Sequence, residues 1–282
     1  MEEQWRGTLY PTRLPQFHRA DPPPGLENRI RWVWIPEWNL GPGRVSRQEL
    51  LPFPALNLVI QPGGVTLSGP ATRRSFRDLH GSGWAVGLLL RPAAVPFLAG
   101  DPGQLRDVEI PFDAPDLLAG IRTAMAADGG NDDAAAGNDD DDGGARRRAR
   151  AVAAAAAWLQ SRVPAPSPEA ELANRLEELI RVDPALTRVD QAAAQLGVSV
   201  RTAQRLAKRY VGLPPLMMIR RYRLQEAAER LRTEPGTIIA DIAAELGYAD
   251  HAHLAAAFRN VLGLTPSSYR RSADAGNPTA TG

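Results

Sequence analysis

Residues 128–144 read DGGNDDAAAGNDDDDGG and contain only Asp, Asn, Gly and Ala. A stretch with no large apolar side chain contributes nothing to a core, and its like charges keep it extended. It predicts a disordered acidic linker over 127–144, with an acidic interaction segment as the other reading of the same charges. The linker divides the 282-residue chain into an N-terminal part, 1–126, and a C-terminal part, each long enough to fold as a domain.

Directly after the linker, ARRRARAVAAAAAWLQSRV (145–163) has high helix propensity throughout, with Val152, Ala155 and Leu159 on one face. A connector helix is expected, packing on either domain or on a second subunit. Its RRRAR block has two readings: contact with phosphate, or neutralisation of the neighbouring Asp run.

The N-terminal part reads as short strands punctuated by Pro and Gly. RIRWVWI (29–35) is aromatic and β-branched, ALNLVIQ (55–61) alternates, GVTLSG (64–69) follows a PGG turn, and GWAVGLLLRP (83–92) suits a buried strand. Such pieces predict an antiparallel sandwich or barrel. PAAVPFLAG (92–100) and APDLLAGIRTAM (114–125) are expected to be short helices. Trp32 and Trp34 share a strand face; they are either a β-core aromatic pair or the lining of a ligand pocket. His18 and His80 are the only histidines of this half and form no His-x-His pair. No metal, no cofactor and no catalytic site is expected.

Absence of cysteine excludes disulfides, thiolate metal sites and cysteine nucleophiles. MEEQWRGTLYPTRLPQ has acidic residues and lacks the apolar centre of a signal peptide. No apolar run approaches the roughly 20 residues of a membrane helix, so a soluble cytoplasmic protein with no membrane partner is expected. The net charge of +1 is uninformative, but its distribution is not. Residues 170–272 hold 14 Arg and one Lys against 11 acids, whereas 1–126 hold 13 Arg against 12 acids.

From about Ala170 the pattern turns helical. RVDQAAAQLG (188–197) predicts a short helix ending at Gly197, with Ser199 as N-cap of the next. There Ala203, Leu206, Ala207 and Tyr210 fall on the inner face, and Arg201, Gln204, Arg205 and Lys208 on the opposite one. Helix, tight turn and second helix with a polar outer stripe make a helix-turn-helix, against the plainer reading of an amphipathic surface helix. About 50 residues on, IIADIAAELG (238–247) repeats the pattern: Leu246-Gly247 mirrors Leu196-Gly197, and Gly263-Leu264-Thr265-Pro266 mirrors Gly212-Leu213-Pro214-Pro215. PLMMIRRYRLQEAAERLR (215–232) between them predicts a long rigid spacer, and two units so joined suit successive major grooves.

Residues 170–272 resemble the DNA-binding domain of AraC/XylS-type transcriptional regulators. The resemblance rests on Leu196-Gly197-Val198-Ser199, Arg205-Leu206, Gly212, Pro215, Arg223-Leu224, Ala227, Ile242-Ala243, Gly247-Tyr248, Asp250, His253, Phe258-Arg259, Gly263, Pro266 and Tyr269-Arg270. It implies about seven helices with two helix-turn-helix units. The fold class expected for the whole chain is α+β multidomain: a β-rich barrel- or sandwich-like domain, then an all-α double helix-turn-helix domain, then a disordered tail at 273–282. RWVWIPEW and GLLLRPAAVPFLAG resemble β-barrel-like sensor domains attached to this family, which implies a regulatory module.

The resemblance breaks at the second recognition helix. Superposing inner faces pairs Arg201, Gln204 and Arg205 with Ala252, Ala255 and Ala256. Arg and Gln grip guanine and adenine edges, whereas alanine offers at most apolar contact with a thymine methyl. Base readout is therefore expected from Ser199, Arg201, Thr202, Gln204, Arg205 and Lys208. Weaker docking is expected from Asp250, His251, Ala252, Ala255, Ala256 and Arg259, and phosphate contacts from Arg209, Arg220 and Arg270. The expected partner is double-stranded DNA; a small-molecule effector at the N-terminal domain and a homodimer are the further candidates. An interaction adaptor that has lost DNA binding is the alternative. An enzyme is not expected, because no Ser-His-Asp set, phosphate loop or paired acids are evident.

Overall fold

β-branched and aromatic runs separated by glycine turns build the N-terminal domain. The computed structural model describes residues 16–126 and 139–274. Nine strands precede the second α-helix: β1 Gln16–Ala20, β2 Ile30–Asn39, β3 Val45–Leu50, β4 Asn57–Gln61, β5 Gly64–Ser68, β6 Ser75–His80, β7 Ser82–Trp84, β8 Val86–Leu90 and β9 Glu109–Pro111. All pairings are antiparallel. One sheet runs β1-β2-β8-β4-β5-β9, with β7 also on β2, and β3 and β6 form a separate ribbon.

Strand alternation gives the main sheet two apolar faces. Val33, Ile35, Leu58, Ile60 and Leu88 face α2 (Pro115–Met125) and α3 (Asp139–Arg162), meeting Leu117, Ile121, Ala155 and Leu159. Trp32 and Leu89 point the other way, into a core shared with the C-terminal helices. A register shift between Ile30 and Trp32 sets this split.

Two expectations change here. Helix α3 begins at Asp139, inside the stretch expected to be a disordered linker, and carries Gly143 and Gly144 within it. Residues 127–138 lie outside the described residues. The connector helix belongs to the N-terminal core, and its basic block is spent within the protein: Arg148 donates to Glu37 at 3.0 Å and Arg150 to the Ala124 carbonyl at 3.2 Å. Residues 92–100 fold as a 3₁₀ turn, Pro92–Ala94, and the one-turn helix α1, Val95–Leu98.

Seven helices follow: α4 Pro168–Val182, α5 Val189–Gln195, α6 Val200–Tyr210, α7 Pro215–Thr233, α8 Ile239–Glu245, α9 His251–Leu262 and α10 Pro266–Asp274. α10 thus runs into the stretch expected as a tail, and residues 275–282 lie outside the description. Gly197, Gly212, Gly247 and Gly263 take φ of +66°, +81°, +67° and +67°. The mirrored glycines of the sequence are therefore mirrored left-handed turns, where a Cβ is strained. Among the described residues no helix is long and apolar enough to cross a membrane.

The two domains share a surface rather than hanging on a tether. Trp32 and Phe53 meet edge to face at 5.6 Å, and Phe53 meets Tyr222 of α7 at 5.7 Å. Buried Arg31 of β2 pairs with Glu177 and, at 2.9 Å, with Glu178 of α4; the Tyr222 hydroxyl also donates to Glu177. Asn174 accepts from Ala93 N at 2.9 Å and donates to Asn28 O at 2.7 Å.

Candidate nucleic-acid interface

Helices α5 and α6, joined by the Gly197 turn, form the first unit. Ser199 caps α6, its hydroxyl accepting from Thr202 N at 3.1 Å. This fixes the helix start and uses one hydroxyl lone pair. Ala203, Leu206, Ala207 and Tyr210 are buried as the spacing predicts, and Arg201, Gln204, Arg205 and Lys208 stand exposed on the opposite side. These four side chains form one polar stripe about two turns long.

One residue that periodicity does not reveal bears on this stripe. Glu169, in the first turn of α4, accepts from Arg205, from Arg209 at 2.8 Å and from the Tyr210 hydroxyl at 3.2 Å. The hydrogen bond from Arg205 and the two guanidinium charges lower its pKa. Arg209, expected on phosphate, is thus paired inside the protein, although it stays exposed. Glu169 lies 36 residues from Arg205 in the chain, and only its place in the first turn of α4, two residues after the Ser167 cap, marks it out.

α8 and α9 form the second unit. Asp250 caps α9, accepting from His253 N at 2.7 Å, so this carboxylate anchors the helix rather than projecting from it. His251, Ala252 and Arg259 are exposed, and Ala256 is half-buried. Ala255 is corrected: it is 6% exposed. The apolar arc of Leu254, Phe258, Val261 and Leu262 is one residue wider than inner-face matching implied, and it includes Ala255. The outward stripe is Ala252, Ala256, Arg259 and Asn260.

Arg270 is corrected as well. Its guanidinium donates to the carbonyls of Pro235 at 3.1 Å and Thr237 at 2.7 Å, so it ties α10 to the loop before α8 instead of reaching outward. Arg220 is exposed. Trp32 and Trp34, expected as a core pair or a pocket lining, each pack against other side chains. Trp32 is 5% exposed beneath the C-terminal domain, with the Arg19 guanidinium 4.0 Å from its ring. Trp34 stacks on Phe17, lies over Gly87 and donates to Asn57 Oδ1 at 3.1 Å. Among the described residues no group of three or more His, Cys, Asp or Glu is arranged to hold a metal.

Residues 192–272 match the family model described as Helix-turn-helix domain, and residues 18–111 match the one described as Domain of unknown function (DUF6597). Over 90 residues the chain is 38% identical to an AraC-like transcription regulator of Streptomyces lividans, covering 32% of this chain and 29% of that protein. Over 86 residues it is 34% identical to the HTH-type transcriptional activator RhaS of Klebsiella pneumoniae, covering 30% of this chain and 31% of that protein. The chain thus spans about a third of the length of these relatives. Among solved structures it is similar to the C-terminal domain of AraT, a response regulator from Geobacillus stearothermophilus, at 27% identity and a TM-score of 0.34, covering 38% of this chain and 88% of that one. Two mirrored helix-turn-helix units on one spacer, over residues that match these relatives, make the C-terminal domain similar to the helix-turn-helix domain of AraC-like transcription regulators.

Proposed function

We propose that the protein is a sequence-specific DNA-binding transcription regulator in which α6 reads bases and α9 mainly docks. The observation that carries this reading is the contrast between two equivalent helices. α6 exposes Arg201, Gln204, Arg205 and Lys208, whereas the outward stripe of α9 holds exposed Ala252 and half-buried Ala256 with Arg259 and Asn260, and His251 and His253 stand exposed in its first turn. Guanidinium and amide groups discriminate base edges; a methyl group discriminates little. His251 and Arg259 are assigned to the phosphate backbone, which positions the protein without carrying sequence information. Arg220 is assigned the same role.

In-vitro selection of bound duplexes by the full chain tests this. The selected motif is expected to hold one strongly specified segment and one weak one, a helical turn apart. Arg205→Ala and Gln204→Ala are each expected to lose about 1–3 kcal/mol of discrimination at particular positions. An unchanged motif in either variant removes α6 as the reader. Failure to bind any duplex at low salt favours an interaction adaptor.

A further inference from the structure

Beside α7 lies a groove of about 900 Å³, lined by α7, α9, the loop before α5 and the Thr72–Arg73 segment of the N-terminal domain. Arg73, Arg188, Arg220, Arg221 and Arg223 line it, and no Asp or Glu does. Arg188 is engaged by Asp190 at 2.9 Å. Among the described residues the other four form no ion pair. Nε of Arg221 and both Nε and Nη2 of Arg223 are shielded from solvent and have no hydrogen-bond partner. Arg223 lies with its guanidinium 4.5 Å from the centre of the Tyr248 ring, which holds the group in place without satisfying those donors.

Shielded guanidinium donors without acceptors are unfavourable unless something fills the site. Burial, together with the charge of Arg220, lowers the pKa of both Arg221 and Arg223. Asp107 is the one carboxylate that acts on Arg221, and its oxygens are taken by Thr72, from the backbone N at 2.6 Å and the hydroxyl at 2.5 Å. That clamp, with Arg74 N donating to Val261 O of α9 at 3.1 Å, pins the segment that carries Arg73. The N-terminal domain therefore sets a cation at the edge of the second helix-turn-helix unit.

We propose that this groove is an oxyanion site that takes a phosphate group, with Arg73, Arg220, Arg221 and Arg223 as its donors. Guanidinium forks match phosphate oxygens in pairs, and a phosphate supplies the acceptors the shielded nitrogens lack. The phosphate belongs either to the backbone of a bound duplex, in which case the site rests on the DNA-binding reading above, or to a free phosphorylated ligand. On either source the site couples the N-terminal domain to the second helix-turn-helix unit.

Calorimetric titration of the full chain with inorganic pyrophosphate at low ionic strength, with and without duplex, is the test. Saturable binding is expected, weakened about tenfold by Arg73→Gln and by Arg220→Gln, with Arg44→Gln as an exposed control that changes nothing. Both positions are exposed, so an unaltered melting temperature shows that the fold is kept. Displacement of pyrophosphate by duplex assigns the groove to the DNA backbone, and simultaneous binding assigns it to a free ligand. A duplex salt slope shallower by about one in each variant, without pyrophosphate binding, also assigns it to the backbone. Pyrophosphate binding that ignores both substitutions, or no binding together with an unchanged salt slope, overturns the proposal while the regulator reading stands. Pyrophosphate binding without any duplex binding does the reverse.

Discussion

Glu169 holds two cations of α6, the helix proposed above to read a duplex. Under that proposal it competes with the duplex, since Arg205 and Arg209 would each have to leave an existing partner to reach DNA. Both guanidiniums are well exposed, so the exchange is shallow, on the scale of a surface ion pair. Glu169→Gln is expected to strengthen binding to any duplex by about threefold to tenfold at low salt and to steepen its salt dependence. Affinity measured against selected and scrambled duplexes checks this; weaker binding to both would mean that the carboxylate orients Arg205 instead. At this scale the sequence was legible where a local period applies. Arg201, Gln204, Arg205 and Lys208 were found because helical spacing alone sorts them from Leu206 and Tyr210. Glu169 was not, because its contact joins turns of two separate helices.

Among the elements, α6 and α9 show what pattern reading resolves and what it does not. Both start at a capping side chain, Ser199 or Asp250, and both follow a left-handed glycine, so the two units were readable as repeats. The width of the buried arc was not, and Ala255 fell on the wrong side of it, because alanine is too small to reveal by type which face it takes. The turn between α6 and α7 shows a tertiary demand on one residue. Gly212 sits at φ +81°, and a Cβ there would lie 2.5 Å from the Pro102 backbone. Gly212→Ala is therefore expected to cost about 1–3 kcal/mol, from left-handed strain plus a clash that pushes α6 off the N-terminal domain. Urea unfolding measures it, and a shift below about 0.5 kcal/mol would show that this approach is not close in solution.

Across the whole molecule, the domain boundary is held by buried charge and aromatic contact. Arg31 and Glu177 are each nearly inaccessible, and Tyr222 binds the same carboxylate. Arg31→Ala leaves Glu177 buried without its countercharge and is expected to cost about 3 kcal/mol of stability. A melting temperature unchanged in that variant would mean that the two domains do not dock as described. Neighbouring Glu178 gives the pH dependence. Burial pushes its pKa up, but the Arg181 hydrogen bond and the charge of Arg31 outweigh this and hold it at about 2, against 4.5 for a free glutamate. A depressed carboxylate adds stability above its free value and loses it on acidification towards its folded value. The melting temperature is thus expected to fall as pH drops from about 4.5 towards 2, and Glu178→Gln to flatten that fall. An acid profile identical in the variant would place the sensitivity elsewhere.

The sequence by itself determined the doubled helix-glycine-helix unit and the polar stripe of α6, because each depends on residues within a turn or two of one another. Only the tertiary structure decided that Trp32 packs against the C-terminal domain, that α3 joins the N-terminal core, and that Arg73 stands beside α9. Those outcomes depend on which surfaces meet, and side chains brought together from distant parts of the chain leave no periodic trace along it.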